Sequence, residues 1–265
     1  MVPRGPQAAV AEDPGGFVHI VLLDRVDSTS AEAARRAAAG APAGTFVVAG
    51  EQIAGRGRRG RTWQSPPGNF YGSLLLRPGC RPADAAQLGF VAGVALAETL
   101  EDVLPSPAGV QCKWPNDLLV AGRKAAGILL DAATTGAGRL DWVIVGLGVN
   151  LRWCPPDRDG QFPATTVRAE TGGGDLDPPG FLARLAPTLV AWLRRWEREG
   201  FSPIRTAWLE RAYCLDEAVR VVLGDNETLN GSFTGINGSG AMILACDGGI
   251  RVISAGDVVS ARPLV

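Results

Sequence analysis

The chain changes character after Cys214, and this change limits the folds open to it. Before Cys214, apolar runs of strand length alternate with stretches in which apolar residues recur at helical spacing, as over 83–104 and 181–199. Over 217–264 only short β-type runs remain, separated by Gly- and Asn-rich turns. This pattern predicts an α+β domain followed by a small all-β barrel.

The same pattern predicts three segments. Residues 1–16 are rich in Pro, Gly and Ala and lack the apolar centre of a signal peptide, so we expect a disordered tail there. We expect one large domain over 17–214 and the barrel over 215–265. No apolar run reaches the roughly 18 residues of a membrane span. Five unclustered cysteines favour a reducing, cytoplasmic setting over a disulfide framework.

Charge and histidine content exclude several classes of protein. The chain has 26 basic and 27 acidic side chains, which argues against a general nucleic-acid coat. The chain has one histidine, His19. This count excludes His-rich metal sites, and any Ser–His–Asp triad would have to use that residue. Lys113 and Lys124 are its only lysines, and they lie within one short segment.

A loop over 55–61 reads Gly-Arg-Gly-Arg-Arg-Gly-Arg and matches the G-x-G-x-x-G pattern of dinucleotide-binding proteins. We reject that interpretation, because residues 61–67 cannot begin a helix cleanly and no acidic residue follows roughly 20 positions on. Four arginines within seven residues instead suggest a flexible clamp for carboxylate or phosphate. We expect these four charges to repel one another until an anion binds between them. A basic loop that touches RNA is the open alternative.

Two further segments carry polar residues of the kind that bind nucleotides. Lys113-Trp-Pro-Asn-Asp117 combines a charge for a phosphate with side chains suited to a hydroxyl or hydrated Mg²⁺. An apolar strand ends in Gly146-Leu-Gly-Val-Asn150, where alternate glycines leave one sheet face bare for a flat ligand. Each segment alone has a plain structural explanation, such as a strand-end turn or a bulge.

Taken in order, these segments resemble the biotin protein ligases. The resemblance covers the chain after Gly16 and also rests on Asp27-Ser-Thr-Ser30 and Arg123-Lys-Ala-Ala-Gly-Ile-Leu129. It implies a central mixed or antiparallel sheet flanked by helices, as in biotin/lipoate ligase catalytic domains, and an SH3-like C-terminal β-barrel. The family's turn usually reads Ser-Thr-Asn, whereas Ser30 stands last here, so that contact with biotin is expected to weaken or to involve water.

The resemblance also implies the site residues. The biotin contacts would be Ser28, Thr29, Ser30, Gln52, Arg56, Gly57, Arg58, Lys124, Gly127 and Gly148. The ATP contacts would be Arg58, Arg61, Trp63, Lys113, Asn116, Asp117 and Asn150. Lys124 and Arg58 are the expected catalytic residues, as electrostatic stabilisers. We expect no metal-binding cluster of protein side chains; Mg²⁺ would arrive on the phosphates, with Asp117 as a candidate ligand.

The implied reaction forms biotinyl-5′-AMP from biotin and ATP and then biotinylates a lysine of the biotin carboxyl carrier protein of acetyl-CoA carboxylase. Other biotin-dependent carboxylases are further candidate partners. We expect a monomer or weak homodimer, no DNA or membrane partner, and no repressor activity, because about sixteen residues before the first strand are too few for the family's DNA-binding domain. The alternatives are a lipoate or octanoate ligase of the same fold and, from another class, an RNA-binding module.

Overall fold

Two β-sheets organise the computed structural model, which describes residues 9–12, 18–106, 109–157, 162–224 and 227–260. The larger sheet has eight strands in the order β1-β2-β3-β4-β8-β7-β6-β5. They are β1 (Ala9–Glu12), β2 (His19–Val26), β3 (Thr45–Gln52), β4 (Phe70–Leu76), β5 (Val110–Lys113), β6 (Asp117–Val120), β7 (Arg123–Thr134) and β8 (Leu140–Val149). The sheet is mixed, because β2 and β3 run parallel and the other neighbours antiparallel.

Helices cover both faces of this sheet. The helices are α1 (Thr29–Ala38), α2 (Gln87–Val103), α3 (Val167–Glu170), α4 (Pro178–Glu199) and α5 (Phe201–Leu209). On one face, Ala33 and Ala37 of α1 pack against Val47, Leu75 and Ile144. The other face carries α2, with α4 and α5 packed against that helix. The central strand β4 is therefore buried throughout.

The packing side chains alternate as a sheet with two covered faces requires. On β4, Leu75 faces α1, whereas Leu74 and Leu76 belong to the large core on the α2 side. Phe46, Phe70 and Phe181 are fully buried in that core. Each contributes roughly 1.5–3 kcal/mol relative to an exposed side chain.

The smaller sheet is antiparallel, with strand order β12-β11-β10-β9-β13. Its strands are β9 (Ala218–Val222), β10 (Thr228–Ile236), β11 (Met242–Cys246), β12 (Gly249–Ile253) and β13 (Asp257–Ser260). Side chains of the larger unit hold it through backbone carbonyls. The indole of Trp114 donates to Gly240 O at 3.0 Å, and Gln87 donates to Gly238 O at 3.1 Å.

The predicted fold class is confirmed: a mixed sheet with helices is followed by a separate antiparallel unit. The predicted disordered tail differs in part, because residues Ala9–Glu12 pair antiparallel with β2 and the rest of 1–16 lies outside the described residues. The remaining domain bounds stay a prediction. All five cysteines are free thiols. No helix within the described ranges is long and apolar enough to cross a membrane.

Candidate functional site

A cavity of about 500 Å³ opens on the sheet face that carries α1, beyond the N-terminal end of that helix. This volume suits a small molecule. Gly146 and Gly148 lie on this face of β8, since they alternate in step with Ile144, which packs against α1. The cavity therefore occupies the part of the sheet that α1 leaves uncovered.

One wall of the cavity consists of hydroxyl and amide groups. Ser28 precedes α1 in an extended conformation but makes no side-chain capping bond, so its buried hydroxyl is not used by the helix. The backbone N–H of Thr29 donates to Gln52 Oε1 at 2.8 Å, and the Thr29 hydroxyl reaches the same oxygen at 3.1 Å. Ser30 is also buried, and its Oγ lies 3.0 Å from Ser73 Oγ. This wall, defined by Ser28, Thr29, Ser30 and Gln52, is here called the hydroxyl wall.

Three glycines beside this wall accommodate side chains of the protein itself. A Cβ on Gly148 would lie 2.7 Å from the indole nitrogen of Trp63, and one on Gly127 would lie 3.1 Å from the same ring. The flat group on these glycines is therefore Trp63, whereas the sequence suggested open space for a ligand. Gly146 makes room for Ser30, whose Oγ would lie 2.7 Å from an added Cβ.

Both lysines of the chain meet on one carboxylate. Lys124 Nζ lies 2.6 Å from Asp117 Oδ1, and Lys113 Nζ lies 3.3 Å from Asp117 Oδ2. Burial alone would raise the pKa of Asp117, but the two ammonium groups outweigh it and lower the pKa to about 2. Burial also lowers the pKa of Lys113, which Asp117 partly offsets. The result is a buried cluster with one net positive charge beside the cavity.

This geometry does not fit the prediction that Asp117 binds Mg²⁺. Both of its oxygens are paired with ammonium groups, which leaves no charge unbalanced for a divalent cation. Asp257, which also lines the cavity, is paired with arginines. Within the described ranges, no group of three or more His, Cys, Asp or Glu side chains could hold a metal. The side chains that the structure describes at Asp117 therefore do not fit a Mg²⁺ site.

Carboxylates of the protein offset part of the positive charge of the arginine loop, whereas the sequence predicted that its arginines repel one another until an anion binds. Asp257 of β13 lies 3.2 Å from Arg58 Nη1 and 3.1 Å from Arg61 Nη2, and Arg59 lies 3.6 Å away. Arg56 pairs at 2.5 Å with Asp131 on β7. Burial lowers the pKa of Arg58, which Asp257 opposes. Two protein carboxylates thus hold the guanidinium groups that were predicted to bind substrate anions.

The predicted ATP contacts also have partners within the protein. Arg58 Nη1 donates to Asn116 Oδ1 at 3.1 Å, and Asn116 Nδ2 donates to the carbonyl of Ile128 at 2.8 Å. Asn150 donates to the carbonyl of Thr165 at 3.2 Å, which ties the segment after β8 to the cavity. These amides are therefore held in one orientation before any ligand arrives.

Every predicted site residue lines this one cavity. Their roles toward biotin and ATP stay predictions. Sequence reasoning missed Asp257, which comes from the small C-terminal sheet, and Ser73, which lies behind the hydroxyl wall. Asp257 stands among the short β-type runs of the C-terminal region, and Ser73 stands within the apolar run over 70–76. Neither carried a local signal, because each acts on residues distant in the chain.

Replacing Asp257 with Asn should loosen the arginine loop. The carboxylate is the shared ion-pair partner of three guanidinium groups, and its negative charge offsets part of their mutual repulsion, which a neutral amide would not do. We expect trypsin to cut the variant faster at Arg58, Arg59 or Arg61, as followed by mass spectrometry. Asp247→Asn, which changes an exposed acid in the turn between β11 and β12, is the matched control and should leave the cleavage rate unchanged. Equal rates in the two variants would contradict the role of Asp257.

Two family models match this chain, the Biotin/lipoate A/B protein ligase family over residues 22–150 and the Biotin protein ligase C terminal domain over residues 215–259. The chain is 45% identical over 240 residues to a biotin–[acetyl-CoA-carboxylase] ligase of Paracoccus denitrificans, which is 89% of this chain and 98% of the relative. This chain belongs to the biotin protein ligases. The bifunctional ligase/repressor BirA of Bacillus subtilis is 33% identical over 248 residues, covering 91% of this chain and 73% of BirA.

A solved structure shows the same fold. The biotin protein ligase from Aquifex aeolicus in complex with biotin and ATP has a TM-score of 0.75 at 29% identity, covering 90% of this chain and 97% of that one. The predicted family and its ligase class are therefore confirmed. Within this biotin protein ligase, the C-terminal domain reaches the cavity through Asp257.

Proposed function

We propose that this protein forms biotinyl-5′-AMP from biotin and ATP and then transfers biotin to a lysine of the biotin carboxyl carrier protein of acetyl-CoA carboxylase. The observation that carries the proposal is the division of one cavity into an uncharged hydroxyl wall and a cationic end. The hydroxyl wall suits a cyclic urea, and the cationic end suits a carboxylate together with a triphosphate. The Paracoccus and Aquifex relatives, named for these substrates, support the same conclusion.

In the first step, a carboxylate oxygen of biotin bonds to the α-phosphorus of ATP while the bond from that phosphorus to the bridging oxygen breaks. Pyrophosphate leaves with the bonding electrons. Since two anions must approach each other, fixed positive charge does more for this step than proton transfer. Lys124 and Arg58, which line the cavity, are the proposed stabilisers.

In the second step, the neutral ε-amine of the carrier lysine attacks the acyl carbon of the mixed anhydride. The bond from that carbon to the AMP oxygen breaks, AMP leaves as an anion, and the new amide nitrogen loses a proton. The arginines now on Asp257 would cover the adenylate and exclude water. The carrier protein, the monomer or weak homodimer, the cytoplasmic setting and the absence of repressor activity stay predictions.

Two assays test this proposal. Pyrophosphate release should require ATP and biotin, and octanoate or lipoate in place of biotin should give background release. Incubation with a carrier domain should then give a product that streptavidin detects, at the carrier's lysine and not in a carrier variant with that lysine replaced by arginine. Faster release with octanoate or lipoate would favour the acyl-ligase alternative. RNA binding without ATP turnover would favour the RNA-binding alternative.

A further inference from the structure

Ser73 lies directly behind the hydroxyl wall and touches two of its members. It is a fully buried residue of β4, opposite Gly146 of β8. Its Oγ lies 2.8 Å from Thr29 Oγ1 and 3.0 Å from Ser30 Oγ. Each hydroxyl has only one proton. The direction of these hydrogen bonds therefore decides whether Thr29 and Ser30 offer a proton or a lone pair to the cavity.

The orientation of Gln52 can be established first. The backbone N–H of Thr29 can only donate, so the Gln52 atom that it meets at 2.8 Å is the amide oxygen. The amide nitrogen of Gln52 then donates to Ser65 Oγ at 2.9 Å, and Ser65 donates to the carbonyl of Trp63 at 2.9 Å. Both ends of this chain are backbone groups whose donor or acceptor character cannot change.

The directions of the three hydroxyl bonds follow. Thr29 donates its one proton to Gln52 Oε1, so Thr29 Oγ1 must accept from Ser73. The proton of Ser73 is thereby used, and the bond between Ser73 and Ser30 requires Ser30 to donate. Thr29 and Ser30 thus direct their protons into the protein, and both residues line the cavity, to which their oxygens offer lone pairs.

We propose that Ser73 is a positioning residue that sets Thr29 and Ser30 of the hydroxyl wall as hydrogen-bond acceptors and so selects an acid whose head group carries N–H donors. This inference rests on the proposed function and deepens it. A ureido ring has two such donors, whereas an octanoyl chain or a dithiolane has none. Without Ser73, the proton of Ser30 is free to rotate toward the cavity, and the wall loses its fixed polarity.

The test compares biotin with an analogue in which an oxygen replaces one ureido N–H, giving a cyclic carbamate of nearly the same shape. The wild-type enzyme should prefer biotin, with kcat/KM for pyrophosphate release at least about tenfold higher. In Ser73→Ala this preference should fall about tenfold and the KM for biotin should rise. The KM for ATP should not change.

The matched control is Thr99→Val, which removes another buried hydroxyl, one that bonds only within α2. It should lose stability without changing the preference for biotin. An unchanged preference in Ser73→Ala would overturn the inference. Should that variant not fold, isothermal titration of the wild type decides, since equal affinity for biotin and the carbamate contradicts an acceptor wall. Absence of biotin-dependent pyrophosphate release by the wild type is a different result and would overturn the proposed function as well.

Discussion

Replacing Lys124 with Ala should slow pyrophosphate release from biotin and ATP by about 10²–10³-fold in kcat, the usual effect of removing one preorganised stabiliser of developing charge. Lys124 is suited to this role because its ammonium is already held, 2.6 Å from Asp117 and over the ring of Trp63 at 5.3 Å. We therefore expect its ammonium to change position little when the carboxylate meets the α-phosphate. A burst or steady-state pyrophosphate assay at saturating substrates measures the effect.

Two further variants make this experiment specific to Lys124. Arg184→Ala removes a basic side chain from an exposed pair with Asp102, outside the cavity, and should leave the rate unchanged. Lys124→Arg keeps the charge but replaces a compact ammonium with a larger planar group, so we expect a rate between those of wild type and Ala. A wild-type rate in Lys124→Ala, with a normal thermal midpoint, would exclude Lys124 as the stabiliser.

Replacing Asp117 with Ala should destabilise the protein by about 3–5 kcal/mol, because it leaves the buried ammonium of Lys113 without its carboxylate. Lys113 is only 5% exposed, and Asp117 is its ion-pair partner at 3.3 Å. Urea unfolding measures the loss. Asp141→Ala, which breaks a more exposed pair with Arg77, should cost less than about 1 kcal/mol. Similar losses in the two variants would contradict a special role for the buried cluster.

Acid unfolding gives an independent test of the same cluster. The pKa of Asp117 in the folded protein is about 2, below its ordinary 3.8, so its contribution to stability is present above about pH 4 and is lost as the pH falls toward 2. The shift corresponds to about 2 kcal/mol. Asp117→Asn cannot titrate, so its stability should fall less steeply over that interval. Parallel acid-unfolding curves would contradict this assignment.

The helices and strands were largely predictable because hydrophobic periodicity is local. The apolar run over 70–76 is β4 in full, and the amphipathic pattern over 181–199 is most of α4. Pairing between distant strands was not predictable, because periodicity shows which face of a strand is buried but not which strand lies beside it. The antiparallel pairing of Ala9–Glu12 with β2 is such a case: a segment rich in small residues forms a strand where a neighbouring edge is available.

Residue chemistry and spacing indicated an anion site, and the resemblance to the biotin protein ligases supplied the individual site residues. Four arginines in one loop and two lysines in one segment indicated an anion site, and every residue predicted from the resemblance lines the cavity. Those signals lie in short motifs. The sequence did not show which residues these motifs contact in the folded protein.

Only the tertiary structure decided how the charges are balanced and how the polar wall is oriented. Asp257 is 199 residues from Arg58 along the chain. Its carboxylate nevertheless lies 3.2 Å from the Arg58 guanidinium, because the C-terminal sheet packs against the cavity. Ser73 orients Thr29 and Ser30 only because β4 passes behind α1. The sequence determined which chemical groups are present; the fold determined which of them are paired, since hydrogen bonds and ion pairs act over a few ångströms in space, whatever the separation along the chain.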